Sequence, residues 1–134
     1  MEPKQEMKNA FKKRLYHFTL KLIQFIEKLP KNLVTRRMSD QLIRSETSIM
    51  ANYIEGQSGS SKRDFGNFMN HSLKSTNESK LWIALMRDSG RATKEECAWF
   101  LDELEEYGKI FGSTVVTIRK KALNIFCFLF YIFY

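Results

Sequence analysis

Few residues in this chain of 134 have the type and spacing for covalent chemistry. Helical di-metal carboxylate sites need Glu-x-x-His pairs projecting inward, and neither His17 nor His71 follows a glutamate at that interval. A histidine on a helix without such a partner is ordinarily a surface or boundary residue. Arg63 and His71 have seven residues between them, a longer gap than the Arg–His pairs of helical-bundle ribonucleases. Gly56, Gly59 and Lys62 superficially resemble a phosphate loop, but the P-loop spacing is absent and no strand-like run precedes them. Cys97 and Cys127 lie thirty positions apart with no CxxC motif, which suits free thiols in a reducing compartment better than a disulfide framework. The sequence therefore predicts no catalytic residue, no metal site and no cofactor.

Positive charge is the chemistry that remains. The formal net charge is +7, and it is unevenly spread. Residues 1–60 carry eleven Lys/Arg against six Asp/Glu, and residues 61–92 carry six against three. Residues 93–134 carry five against six, with Glu95, Glu96, Asp102, Glu103, Glu105 and Glu106 clustered. Lys12, Lys13, Arg14, Lys21, Arg36, Arg37, Arg44, Lys62 and Arg63 are the candidate phosphate contacts. Contacts of this kind give affinity without reading sequence and weaken steeply with salt. The competing reading is a set of solvated helix faces on a basic protein. Most aromatic residues fall on core positions, which argues against base-stacking platforms.

These side chains must be carried by helices. The length fits one domain, and two prolines and six glycines sit mostly between periodic apolar segments. Phe11, Leu15, Phe18, Leu22, Phe25, Ile26 and Leu29 recur at three- and four-residue steps, predicting a helix over 6–29 that Pro30 stops. Met38, Leu42, Ile49, Met50, Tyr53 and Ile54 predict a second helix, starting between 35 and 39 and ending at Glu55 with Gly56 as its C′ residue. Ser61 is an N-cap with Asp64 at N3, predicting a third helix over 62–88 that Ser89-Gly90 ends. Thr93 with Glu96 forms a second capping box, opening a fourth helix through at least Ile118. The fold class is all-α: an antiparallel up-down-up-down four-helix bundle, with the domain over 1–121 and an apolar extension over 122–134.

The helix 2 segment resembles the signature of the bacterial four-helix bundle family encoded in intervening sequences of large-subunit ribosomal RNA genes. The matching residues are Gln41, Leu42, Arg44, Ser48, Ile49, Asn52, Glu55 and Gly56, continued by Asp64, Phe65, Phe68, Ser75 and Glu78. The match covers about residues 11–121. That family is similar to the accessory variability protein of diversity-generating retroelements, a pentameric basic barrel that binds a reverse transcriptase and nucleic acid. The resemblance implies a homo-oligomer, with a pentamer suspected, and contact with RNA, DNA or a nucleic-acid-handling protein. It carries over no catalytic residue.

The remaining expectations concern surfaces. Leu81 and Leu85 fall opposite the apolar face of helix 3, with Trp82 to one side, which predicts a subunit interface. Glu46 stands on the Leu42/Ile49/Tyr53 stripe where the family pattern has a small residue. It is expected to face a basic residue across that interface, failing which its stripe is wetter, and a lone buried carboxylate needs a partner or a raised pKa. Asn52 is expected to tie helix to loop, and Glu55 to accept from the N–H groups opening helix 3. Ile125–Tyr134 is an unbroken apolar run after Arg119, Lys120 and Lys121. Ten helical residues rise about 15 Å, half of a bilayer core of about 30 Å. Packing against another subunit, or an incidental extension, is ranked above membrane anchoring. With a charged, polar N-terminus and no visible signal peptide, a cytoplasmic location is expected. A purely protein-binding or self-assembling module is the alternative to nucleic-acid binding.

Overall fold

A computed structural model describes residues 2–133; Met1, Tyr134 and the side chains of Tyr131 and Phe133 lie outside the described residues. Four helices follow one another with short connections: α1 (Pro3–Glu27), α2 (Leu33–Gln57), α3 (Lys62–Asp88) and α4 (Lys94–Phe133). Among the described residues there is no strand. The antiparallel four-helix bundle expected from periodicity is the fold.

Local chemistry sets the ends of each helix. Pro3 opens α1, where its missing N–H costs nothing. Asn32 caps α2, its side-chain oxygen accepting from Thr35 N–H at 2.9 Å. That cap starts α2 at Leu33, earlier than periodicity suggested, because Leu33 and Val34 are helical yet exposed. Ser61 caps α3 by accepting from Asp64 N–H at 3.1 Å. Gly90, with φ +74°, takes the left-handed conformation that closes α3. At α4 the capping box is reciprocal: Thr93 N–H donates to Glu96 at 2.7 Å, and Glu96 N–H to the Thr93 hydroxyl at 3.1 Å. Those bonds from Thr93 hold the Glu96 carboxyl below its ordinary pKa.

Gly56 corrects an expectation. It does not stop α2, which runs on to Gln57, and its φ is not positive. A Cβ there would lie 2.8 Å from Met69 Cε and 3.0 Å from Phe68 Cβ. Gly56 is there because α3 passes too close for a side chain.

The rest of the α2–α3 contact is built from small hydroxyl residues. Ser45 and Ser79 share a buried hydrogen bond at 2.8 Å, Ser75 donates to Ser48 Oγ at 3.1 Å, and Ser72 donates to the Ile49 carbonyl at 3.0 Å. Asn52 donates to the Ser48 carbonyl and hydroxyl within its own helix, at 2.8 and 2.9 Å, so it does not tie helix to loop. Glu55 is exposed and the start of α3 takes its cap from Ser61, so the bond expected of Glu55 is not made.

The α1–α4 contact is aromatic. Phe18 stacks on Trp99 with centroids 5.6 Å apart and meets the edges of Phe100 and Tyr107, both at 5.4 Å. Phe11 packs edge-on against Tyr107 at 5.8 Å and Phe111 at 5.7 Å, and Phe25 lies tilted against Phe100 at 5.0 Å. Such ring pairs are favourable beyond the apolar area they bury.

α4 outruns its neighbours. It has 40 residues, about 60 Å of helix, against 25 to 27 for the others. Val115 is its last buried residue, and every residue from Arg119 to Phe130 is exposed.

Candidate nucleic-acid interface

Antiparallel packing brings the start of α1, the α2–α3 turn, the start of α3 and the exit of α4 to one end of the bundle. There they enclose an open cleft of about 1230 Å³. Lys4 and Lys8 come from α1, Lys62 and Arg63 from the first turn of α3, and Arg119 and Lys121 from α4. No Asp or Glu is among the lining residues. Gln57, Asn67, Asn70 and Asn124 add amide donors and acceptors to its wall, and Phe65, Val115 and Ile118 supply apolar surface. The α3 helix points its N-terminus toward this cleft, adding a partial positive charge to the six cations.

Of the nine cations singled out in sequence, Lys62 and Arg63 reach the cleft. Lys12 and Lys13 are exposed on α1, and Arg44 is exposed on α2. Arg36 and Arg37 are exposed at the far end, where Arg91 on the α3–α4 connection donates to Thr35 Oγ1 at 3.1 Å. Two of the nine are engaged by other side chains of the bundle. Arg14 forms a two-pronged bond with Glu103, at 2.9 and 2.7 Å, and lies over the Tyr107 ring at 5.4 Å. The bond raises the Arg14 pKa and lowers that of Glu103, so Arg14 leaves the phosphate-binding set. Lys21 sits 4.2 Å over the Trp99 ring. Near it Lys28, Arg91, Glu96 and Trp99 line a smaller cleft of about 380 Å³.

Lys4, Lys8, Arg119 and Lys121 were missed as contacts. The first two belong to a run of mixed charge, and the last two drew notice only as the flank of the apolar tail. Nothing in local spacing signals that opposite ends of the chain meet.

Glu46 also departs from expectation. It is 1% exposed and lies inside its own bundle, not at a subunit interface, and it meets no basic residue. Its Oε1 accepts from the Thr19 hydroxyl of α1 at 2.7 Å, while Oε2 has no hydrogen-bond partner. Burial pushes its pKa up to about 7, and the Thr19 bond offsets only part of that rise. Leu81 and Leu85 are 53% and 41% exposed on the outside of α3. Trp82 packs partly against the core and donates to Glu78 at 3.3 Å. Among the described residues no group of three or more His, Cys, Asp or Glu is placed to hold a metal, and no helix is long and apolar enough to cross a membrane.

The sequence profile of the 23S rRNA-intervening sequence protein family matches residues 7–113. The chain belongs to that family. A crystal structure of a protein of unknown function from the S23 ribosomal protein family, from Bacteroides thetaiotaomicron, is similar at a TM-score of 0.70. The two are 30% identical over 78% of this chain and 96% of that one. No curated protein matches. The family match takes in most of α1, all of α2 and α3, and α4 as far as Ser113, and it ends before the apolar tail.

Proposed function

We propose that this intervening-sequence family chain is a non-enzymatic, homo-oligomeric helical bundle that serves as a scaffold for nucleic acid, holding phosphates in the cleft at the α2–α3 turn. One observation carries the reading: six cations converge on one cleft with no carboxylate in its lining. Like charges gathered without counter-charges repel one another, and a polyanion relieves that repulsion while releasing its own counterions. Oligomer formation through the exposed Leu81 and Leu85 face would set several such clefts on one particle and raise affinity by avidity. That same apolar face supports the second reading, a self-assembling or protein-binding module whose charge is incidental.

Salt-titrated binding to structured RNA and duplex DNA separates the two readings. Lys62→Glu with Arg63→Glu is expected to weaken binding by more than about tenfold and to reduce the slope of log affinity against log salt by about 2. Arg36→Glu with Arg37→Glu, at the other end, is expected to do far less. No binding by the wild type at low salt, or equal losses in the two variants, removes the cleft from consideration. Mass in solution, with Leu81→Glu and Leu85→Glu as the interface variant, tests assembly.

A further inference from the structure

We propose that the C-terminal segment of α4, from residue 122 onward, inserts into a bilayer carrying anionic headgroups, with the cationic end of the bundle resting on the surface. The inference does not depend on the nucleic-acid reading.

It starts from an uncovered helix. Leu123, Ile125, Phe126, Phe128, Leu129 and Ile132 are each between 47% and 69% exposed, beyond Val115, the last buried residue of α4. At 100° per residue the consecutive positions 125–132 fall on every side of the axis, and from Ile125 on there is no charged residue to form a polar face. A partner helix would cover one stripe of such a rod and leave the remainder in water. A bilayer covers all sides at once.

Length and charge select the same occupant. The apolar stretch of α4 from Ile125 to Phe133 rises about 14 Å, enough to carry it past the headgroups into hydrocarbon. Arg119, Lys120 and Lys121 come immediately before the tail, at the depth where phosphate headgroups would lie. Lys4, Lys62 and Arg63 line the cleft at that same end, so the face turned to the membrane is positive. The acidic residues Glu95, Glu96, Asp102, Glu103, Glu105 and Glu106 occupy the first turns of the same helix, pointing away from it. The charge asymmetry along α4 therefore turns its basic end to the anionic surface and its acidic end away from it.

The chain carries its own reporter. Cys127 is exposed within the tail, whereas Cys97 is fully buried. The full-length protein labelled at Cys127 with a polarity-sensitive dye is mixed with vesicles of phosphatidylcholine alone, or of an equimolar phosphatidylcholine–phosphatidylglycerol mixture. The expected result is a blue-shifted dye and flotation with the mixed vesicles, with partitioning at least about tenfold stronger than to phosphatidylcholine alone. Phe126→Glu with Phe128→Glu should abolish both signals while leaving the melting of the bundle unchanged, because neither side chain packs on the core. Arg119→Glu, Lys120→Glu and Lys121→Glu together should erase the preference for the anionic vesicles. Arg36→Glu with Arg37→Glu, exposed at the far end of the bundle, should leave the dye shift in place. Equal flotation of wild type and the Phe126/Phe128 variant overturns the proposal. So does a wild-type dye shift that appears without vesicles and depends on protein concentration, which would assign the tail to a second copy of the chain. Failure to bind either vesicle overturns it as well.

Discussion

Between α2 and α3 the bundle is closed by hydroxyls and a glycine, whereas between α1 and α4 it is closed by rings. The first seam brings two backbones close, and its bonds are directional: Ser45 to Ser79, Ser75 to Ser48, and Ser72 to a main-chain carbonyl. The second holds its backbones apart and fills the space with Phe11, Phe18 and Phe25 against Trp99, Phe100, Tyr107 and Phe111. Ring packing is strong but tolerant of small slides, while a hydroxyl pair lost on one side leaves its partner buried and unsatisfied. The hydroxyl seam therefore fixes the register of the bundle, and the aromatic seam supplies apolar area. On the outer edge of the aromatic seam the Arg14–Glu103 pair and Lys21 over Trp99 add polar clamps that pin α1 along α4.

The contrast can be broken most severely at its aromatic side. Phe18→Ala, at a position with no exposure and three ring neighbours on α4, is expected to cost about 3–5 kcal/mol in urea denaturation. Next in size is Glu46, which bridges the two halves by accepting from Thr19 of α1. Its folded pKa of about 7 lies above the ordinary 4.5, so the folded state binds more protons across that window. Stability should then fall as pH rises from about 4.5 to 7 and level off above it, a loss of about 3 kcal/mol. Glu46→Gln should flatten that slope in melts taken across pH, and a wild-type profile with no decline would show that the carboxylate is charged and matched.

Smaller effects sharpen the hydroxyl side. Ser45→Ala is expected to cost about 1–3 kcal/mol because it leaves the Ser79 hydroxyl without its partner, and Ser79→Ala less because Ser45 still donates to the Leu42 carbonyl at 3.1 Å, with the double variant short of the sum. Additive losses would mean that the pair at 2.8 Å is not a working hydrogen bond. The smallest change is Arg14→Ala, about 1 kcal/mol or less and diminishing in high salt, since the side chain is 41% exposed.

Periodicity and caps made much of the fold legible. The limits of α3 follow from Ser61 and from Ser89-Gly90, since each places a side-chain acceptor or a left-handed residue where a helix must start or stop. Gly56 was misread because a missing Cβ serves equally to end a helix or to let another pass, and only the position of Met69 and Phe68 decides. Glu46 was legible as an anomaly but not as a resident of its own core, because its solvation depends on Thr19, 27 positions away. The candidate site was legible only in part, at Lys62 and Arg63, where two cations are adjacent on a helix start. Its other cations come from the two ends of the chain. Arg14 looked free for the same reason, since the carboxylate that claims it is 89 positions distant.

Trp99 stacks on Phe18 and carries the ammonium of Lys21 over its ring, which makes the α1–α4 seam visible by light. An indole with a cation over one face should be quenched and shifted while α1 stays docked, and should brighten when α1 lifts away. Trp82, on α3 and bonded to Glu78, is the chain's other indole and stands apart from that stack. Trp82→Phe and Trp99→Phe proteins would thus give two separate fluorescence traces of unfolding, and any lag between them would time the release of α1 against the opening of the rest.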